Sequence, residues 1–181
     1  MRQKIVAGNW KMNNDMAETE MFLVGLKKQV LPEGVTIMIA PAFTNLNHTF
    51  QSVREHPVTV VAQNMHQSEN GAFTGEVSAG MLKSVGVKTV ILGHSERRSL
   101  FNEDNDVLAE KVNTALAHDM EVIFCIGEEL SHRETDDHFT LYEGSFTICV
   151  NNFLAFFLTD CSPPSLQLGS KTFTINQIFE P

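Results

Sequence analysis

Four side chains carry the chemistry that this chain can offer: an amide and an ammonium two residues apart, Asn9 and Lys11, and an imidazole and a carboxylate two apart, His94 and Glu96. A lysine beside an amide can hold a negative charge and donate to a neighbouring oxygen. An imidazole and a carboxylate add groups that can take up or give a proton. Singly, each has an ordinary explanation: Lys11 as a solvated cation, Asn9 as a turn former, His94 as a hydrogen-bonded loop histidine, Glu96 as an acid at a helix start. Their meaning depends on the elements that place them.

Those elements alternate. Residues 4–8, 35–40, 58–62, 89–92 and 121–126 are short apolar runs that predict strands, and helical spacing follows each of the first four. After the first run, Asn14 or Asp15 can cap a helix in which Met16, Leu23, Leu26 and Val30 recur on one face. Asn45 to Val53 predicts a second helix, and Ser78 to Val85 a third that Gly86 is placed to end. A fourth starts under an Asn105 cap, with Val107, Leu108, Val112, Ala115 and Leu116 on its apolar face. Strands that are apolar throughout, each followed by a helix, imply parallel pairing with both faces covered, so the class is α/β. In such folds ligand-facing residues gather just beyond the strands, where Asn9, Lys11, His94 and Glu96 fall. Periodicity leaves a closed barrel and an open doubly wound sheet equally admissible.

Composition narrows the function. The chain has 181 residues, 43% hydrophobic and 19% charged, and a net charge of −9 that opposes binding to nucleic acid. No apolar run is long enough to cross a bilayer, and the stretch Ile5 to Ala7 is too short for the core of a signal peptide, so a cytoplasmic location without a membrane partner is expected. Cys125, Cys149 and Cys161 lack metal-ligand or redox spacing and read as small buried hydrophobes of a reducing compartment. The run His132 to His138 reads as a solvated helix rather than a metal site.

The segments Ala7-Gly8-Asn9-Trp10-Lys11-Met12 and Ile91-Leu92-Gly93-His94-Ser95-Glu96-Arg97-Arg98 closely resemble the two leading motifs of the triose-phosphate isomerase family. Gly71-Ala72-Phe73-Thr74-Gly75-Glu76-Val77-Ser78 is similar to that family's dimer-forming loop, and Phe124-Cys125-Ile126-Gly127-Glu128 to its fifth strand. The resemblance implies a TIM (β/α)8 barrel rather than an open doubly wound sheet. It implies interconversion of dihydroxyacetone phosphate and glyceraldehyde 3-phosphate, a homodimer, and no cofactor or metal. His94, Lys11 and Glu96 are implied as catalytic, Asn9 and Lys11 as substrate-binding, and Thr74, Glu76 and Arg97 as dimer contacts, with a Glu76–Arg97 ion pair conceivable. His94 precedes a helix start at Ser95, and the positive helix end favours the neutral ring that the family uses to polarise the carbonyl.

From about Gly144 the wording departs from the family. Only Asp160, Lys171 and Glu180 are charged beyond that point, six of the thirteen phenylalanines lie there, and Ser162-Pro163-Pro164-Ser165 breaks any helix. Thr172 to Ile175 alternates as a strand does. Two segments are therefore expected: residues 1–143 as a partial barrel of five or six strand–helix units that does not close, and 144–181 as a divergent tail that either covers a sheet edge or, the favoured reading, is the product of a shifted reading frame. The family's base is a glutamate after the sixth strand. Phe179-Glu180-Pro181 matches only the start of that motif, so Glu180 is read as a chance match, and the 181-residue chain is expected to lack turnover.

Overall fold

The computed structural model describes residues 4–125 and three strands within 156–176. Five strands, β1 (Lys4–Asn9), β2 (Val35–Ala40), β3 (Val58–Ala62), β4 (Thr89–Leu92) and β5 (Glu121–Cys125), pair in parallel in chain order. Three further strands, β6 (Phe156–Leu158), β7 (Ser165–Leu168) and β8 (Lys171–Asn176), continue the sheet, giving the order β1-β2-β3-β4-β5-β6-β8-β7. Both β6 and β8 run parallel to their inner neighbours, and β7 folds back antiparallel onto β8. β1 and β7 stand at opposite ends of this order and are not paired to each other, so the described sheet is open.

Helices α1 (Met16–Leu26), α2 (Phe43–Val53) and α3 (Ala79–Ser84) follow the first three strands, and α4 (Ser95–Leu100) and α5 (Asn105–Ala117) both lie between β4 and β5. Because strand side chains alternate between faces, the sheet divides its apolar residues into two clusters. Ile39, Val60, Ala62, Val90, Leu92, Val122 and Phe124 face the helices and pack with Leu23, Leu46, Val53, Leu82, Leu108 and Val112. Met38, Ala40, Val61, Ile91, Ile123 and Cys125 form the other face, joined by Ile5 and Ala7. Each fully buried Leu or Ile contributes roughly 1.5–3 kcal/mol, so the helix-facing layer fixes the frame on which the strand ends sit.

The helix boundaries follow local chemistry. Asp15 caps α1: its Oδ1 accepts the Glu18 amide at 2.9 Å while Glu18 Oε2 accepts the Asp15 amide at 2.9 Å, a reciprocal capping box. Asp15→Ala is expected to cost about 1 kcal/mol, read from the midpoint of urea unfolding. The expected apolar face is shorter than its spacing suggested. Leu23 is buried and Leu26 packs on the core, but α1 ends there, leaving Val30 beyond the helix and almost fully exposed. α2 begins at Phe43, two residues before the expected Asn45, which is itself buried inside the helix and donates to Asn14 O and Thr19 Oγ1. Gly86 ends the turn after α3 at φ +90°, a conformation that few other residues adopt. The cap of α5 is Asp104 rather than Asn105, because Asp104 Oδ1 accepts the Val107 amide at 2.9 Å. Asn105 Oδ1 instead accepts from Arg98.

Candidate active site

Register brings the chemistry together. Asn9, the last residue of β1, lies opposite Ala40 at the end of β2, and Leu92, the last of β4, lies opposite Phe124 near the end of β5. The loops that follow β1 and β4 therefore open on the same edge of the sheet. Across that edge Lys11 Nζ lies 3.0 Å from Glu96 Oε1. His94 Nδ1 stands 3.6 Å from Glu96 Oε2, longer than a hydrogen bond. Lys11 precedes His94 by 83 positions and Glu96 by 85, and only the parallel sheet joins it to them.

Lys11 adopts φ +53°, a left-handed conformation unusual for a side chain with a Cβ. Its amide donates to Asn9 Oδ1 at 3.1 Å, so Asn9 spends its side-chain oxygen on shaping the turn. Gln63, the first residue after β3, donates from Nε2 to Lys11 O at 2.9 Å and to Ala40 O at 2.8 Å.

On the other side, Gly93 at φ +78° turns the chain out of β4 into α4. His94 is the N-cap of that helix, and its Nδ1 accepts the Glu96 amide at 3.3 Å. An Nδ1 that accepts leaves the ring proton of a neutral imidazole on Nε2, as a donor. Arg98 braces the turn: Nε donates to Gly93 O at 2.8 Å, a terminal nitrogen to Cys125 O at 3.2 Å, and another to Asn105 Oδ1 at 2.9 Å. The assembled groups are an ammonium, a capped imidazole and a carboxylate. They can bind an anion and polarise a carbonyl.

The loop between β3 and α3 is tied at its base, where the His66 amide donates to Val77 O at 2.8 Å, and Phe73 packs on the His66 ring at 4.2 Å between centroids. Thr74 and Glu76 are exposed near its tip. The conceivable Glu76–Arg97 pair does not form within the chain. The turn after α4 folds Glu103 back, its amide donating to Arg97 O, and Arg97 Nε meets Glu103 Oε1 at 2.7 Å. Arg97 also lies 4.5 Å over the Phe101 ring.

Three features escaped the sequence reading. Gln63 carried the signal already used for Asn9, a polar residue just beyond a strand. Arg98 lies inside the motif around His94, where its bracing role needs the β5 carbonyl to be visible. Lys111 sits among Leu108, Val112 and Ala115 on the buried face of α5, where a lone cation implies a buried partner. That partner is Glu103, at 2.5 Å, with Asn64 Oδ1 at 2.9 Å. Residues 132–138 and Glu180 lie outside the described residues.

The chain matches the family model for triosephosphate isomerase over residues 4–155. It is 54% identical over 144 residues to the triosephosphate isomerase of Flavobacterium psychrophilum, covering 79% of this chain and 58% of that protein. It is 51% identical over 144 residues to that of Flavobacterium johnsoniae, with the same coverage of 79% and 58%. The match to the triosephosphate isomerase of Finegoldia magna is 43% over 148 residues, 82% of this chain and 59% of the relative. The chain thus spans somewhat under three fifths of the length of these relatives. Among the described residues no helix is long and apolar enough to cross a membrane. The parallel strands in chain order, the paired loops beyond β1 and β4, and the length of these matches agree: the chain belongs to the triosephosphate isomerase family.

Proposed function

We propose that this chain supplies the electrophilic half of a triose-phosphate isomerase site, acting on dihydroxyacetone phosphate and D-glyceraldehyde 3-phosphate in the glycolysis and gluconeogenesis of the cytoplasm. The observation that carries this reading is the Lys11–Glu96 contact of 3.0 Å, which unites the β1 and β4 loops beside the His94 ring. In it, Lys11 attracts the phosphate and the oxyanion that forms as a proton leaves the adjacent carbon, and incoming substrate competes with Glu96 for the ammonium. Asn9 shapes the Lys11 turn and presents its amide nitrogen to a substrate oxygen. His94, whose Nδ1 accepts the Glu96 amide, presents Nε2 to the carbonyl and polarises it. Glu96 holds the ammonium in place before substrate arrives. The chemistry needs no cofactor, because the shift is redox-neutral: a carboxylate base, which belongs to the complementary half of the site, takes the proton from one carbon and returns it to its neighbour. Exposed Thr74 and Glu76, with Arg97, are read as contacts to a second subunit in a homodimer.

A second reading draws on the open sheet, whose end strands β1 and β7 are not paired to each other. In it the 181-residue chain binds substrate without turning it over, or associates with complete subunits through the Thr74 loop. A coupled assay of the purified chain, with a calorimetric titration of dihydroxyacetone phosphate, separates the cases. Turnover that falls at least about 100-fold in His94→Ala supports isomerisation by the chain itself. Binding weakened by Lys11→Met without turnover supports the second reading. Absence of both binding and turnover overturns the isomerase reading and leaves association alone, which size-exclusion of the chain mixed with complete subunits tests.

A further inference from the structure

Lys11 can serve the site only if its backbone stays in a conformation that L-residues disfavour. A non-glycine residue at positive φ costs on the order of 1 kcal/mol or more and persists only where its surroundings enforce it. At Lys11 the enforcement is visible on both flanking peptide groups. The N–H is taken by Asn9 Oδ1, and the C=O is taken by Gln63 Nε2. Gln63 uses its second amide hydrogen on Ala40 O, the carbonyl that also accepts the Trp10 amide at 3.0 Å. One carboxamide thereby ties the ends of β1 and β2 to the end of β3 and holds the rotation about Lys11 from the carbonyl side. The alternation of β3 predisposes it to this: Val61 belongs to the face opposite the helices, and Gln63, two residues on, emerges half-buried just beyond it.

We infer that Gln63 is a positioning residue for Lys11, fixing the ammonium where it meets the phosphate-bearing substrate, an inference that rests on the function proposed above. Gln63 touches no reacting atom in this scheme. It acts by keeping Lys11 in the geometry that puts Nζ 3.0 Å from Glu96 and beside His94.

A double-mutant cycle on the 181-residue chain tests it, with dihydroxyacetone phosphate titrated calorimetrically against wild type, Lys11→Met, Gln63→Met and the double variant. Lys11→Met is expected to weaken binding at least about tenfold, and Gln63→Met about three- to tenfold. The double variant is expected to bind no more weakly than Lys11→Met alone, because a lysine that is absent cannot be misplaced. The dependence of affinity on salt should flatten in Gln63→Met as it does in Lys11→Met, a change that loss of stability alone does not produce. Gln63→Asn keeps the amide but withdraws it by one methylene; it is expected to lose affinity in the same way and serves if the methionine variant does not fold. Wild-type binding that is absent, or unchanged by Lys11→Met, overturns the functional reading. Binding weakened by Lys11→Met, but untouched by both Gln63 variants or lowered additively in the double variant, overturns the positioning role and leaves the functional reading standing.

Discussion

Replacing Glu103 by alanine is expected to destabilise the chain by about 3–5 kcal/mol, because it leaves a buried ammonium without its counter-charge. Glu103 is 7% exposed and the Lys111 side chain only 4%. One carboxylate oxygen, Oε1, accepts from both Lys111 Nζ and Arg97 Nε, while Oε2 is buried without a hydrogen-bond partner among the described residues. Burial lowers the pKa of Lys111 below 10.5, and the hydrogen bond and charge of Glu103 oppose that shift. Between the lowered value and 10.5 the unfolded chain therefore binds more protons than the folded one, so the wild type gains stability from Lys111 as pH rises through that window. Removing Glu103 lowers the folded pKa further and widens the window. The deficit of Glu103→Ala should thus be largest near neutral pH and shrink as pH rises toward 10.5, where a neutral amine is cheaper to bury. Urea midpoints for both proteins across that range measure this directly, and a loss below about 1 kcal/mol at neutral pH would show that the ion pair contributes no more than an exposed one.

Gly93→Ala is expected to disturb both stability and the site. At φ +78° any L-side chain is strained, and a Cβ added there would lie 2.5 Å from the backbone carbonyl oxygen of Cys125 and 3.1 Å from an Arg98 terminal nitrogen. Neither neighbour yields easily, since the carbonyl belongs to β5 and Arg98 is tied to Gly93 O, Cys125 O and Asn105. Strain and overpacking together are expected to cost about 2–4 kcal/mol in thermal or urea unfolding. The residue after Gly93 is His94, so relief of the clash moves the imidazole. A displacement of about 1 Å is enough to lower turnover roughly 100-fold, or to uncouple His94 from bound substrate where turnover is absent. Gly25 is the contrasting position, with nothing within 4 Å of an added Cβ. Gly25→Ala in α1 should be neutral or stabilising by up to about 1 kcal/mol. Equal effects at the two glycines would show that the contact with β5 is not what makes Gly93 sensitive.

Much of the frame was legible because its signals are local. The strands at Val35–Ala40, Val58–Ala62 and Thr89–Leu92 agree with their apolar runs residue for residue, and Ser78 and Gly86 bound α3 as capping chemistry requires. Where the reading slipped, a longer-range partner decided the matter. Asn105 lost the cap of α5 to Asp104 and was taken up by Arg98, and Val30 fell outside α1 because the chain leaves the helix after Leu26.

By itself, the sequence determined the parallel α/β class, the strand ends at which Asn9, Lys11, His94 and Glu96 sit, and the motifs shared with triosephosphate isomerases, because periodicity, capping and residue identity are written along the chain. Only the tertiary structure decided that Lys11 meets Glu96, that Gln63 grips the Lys11 carbonyl, that Arg97 pairs with Glu103 within the chain, and that Lys111 is buried against the same carboxylate. Each of these joins residues from separate turns of the chain through sheet register and helix packing, and a polar side chain takes whichever partner that packing brings within about 3 Å of it.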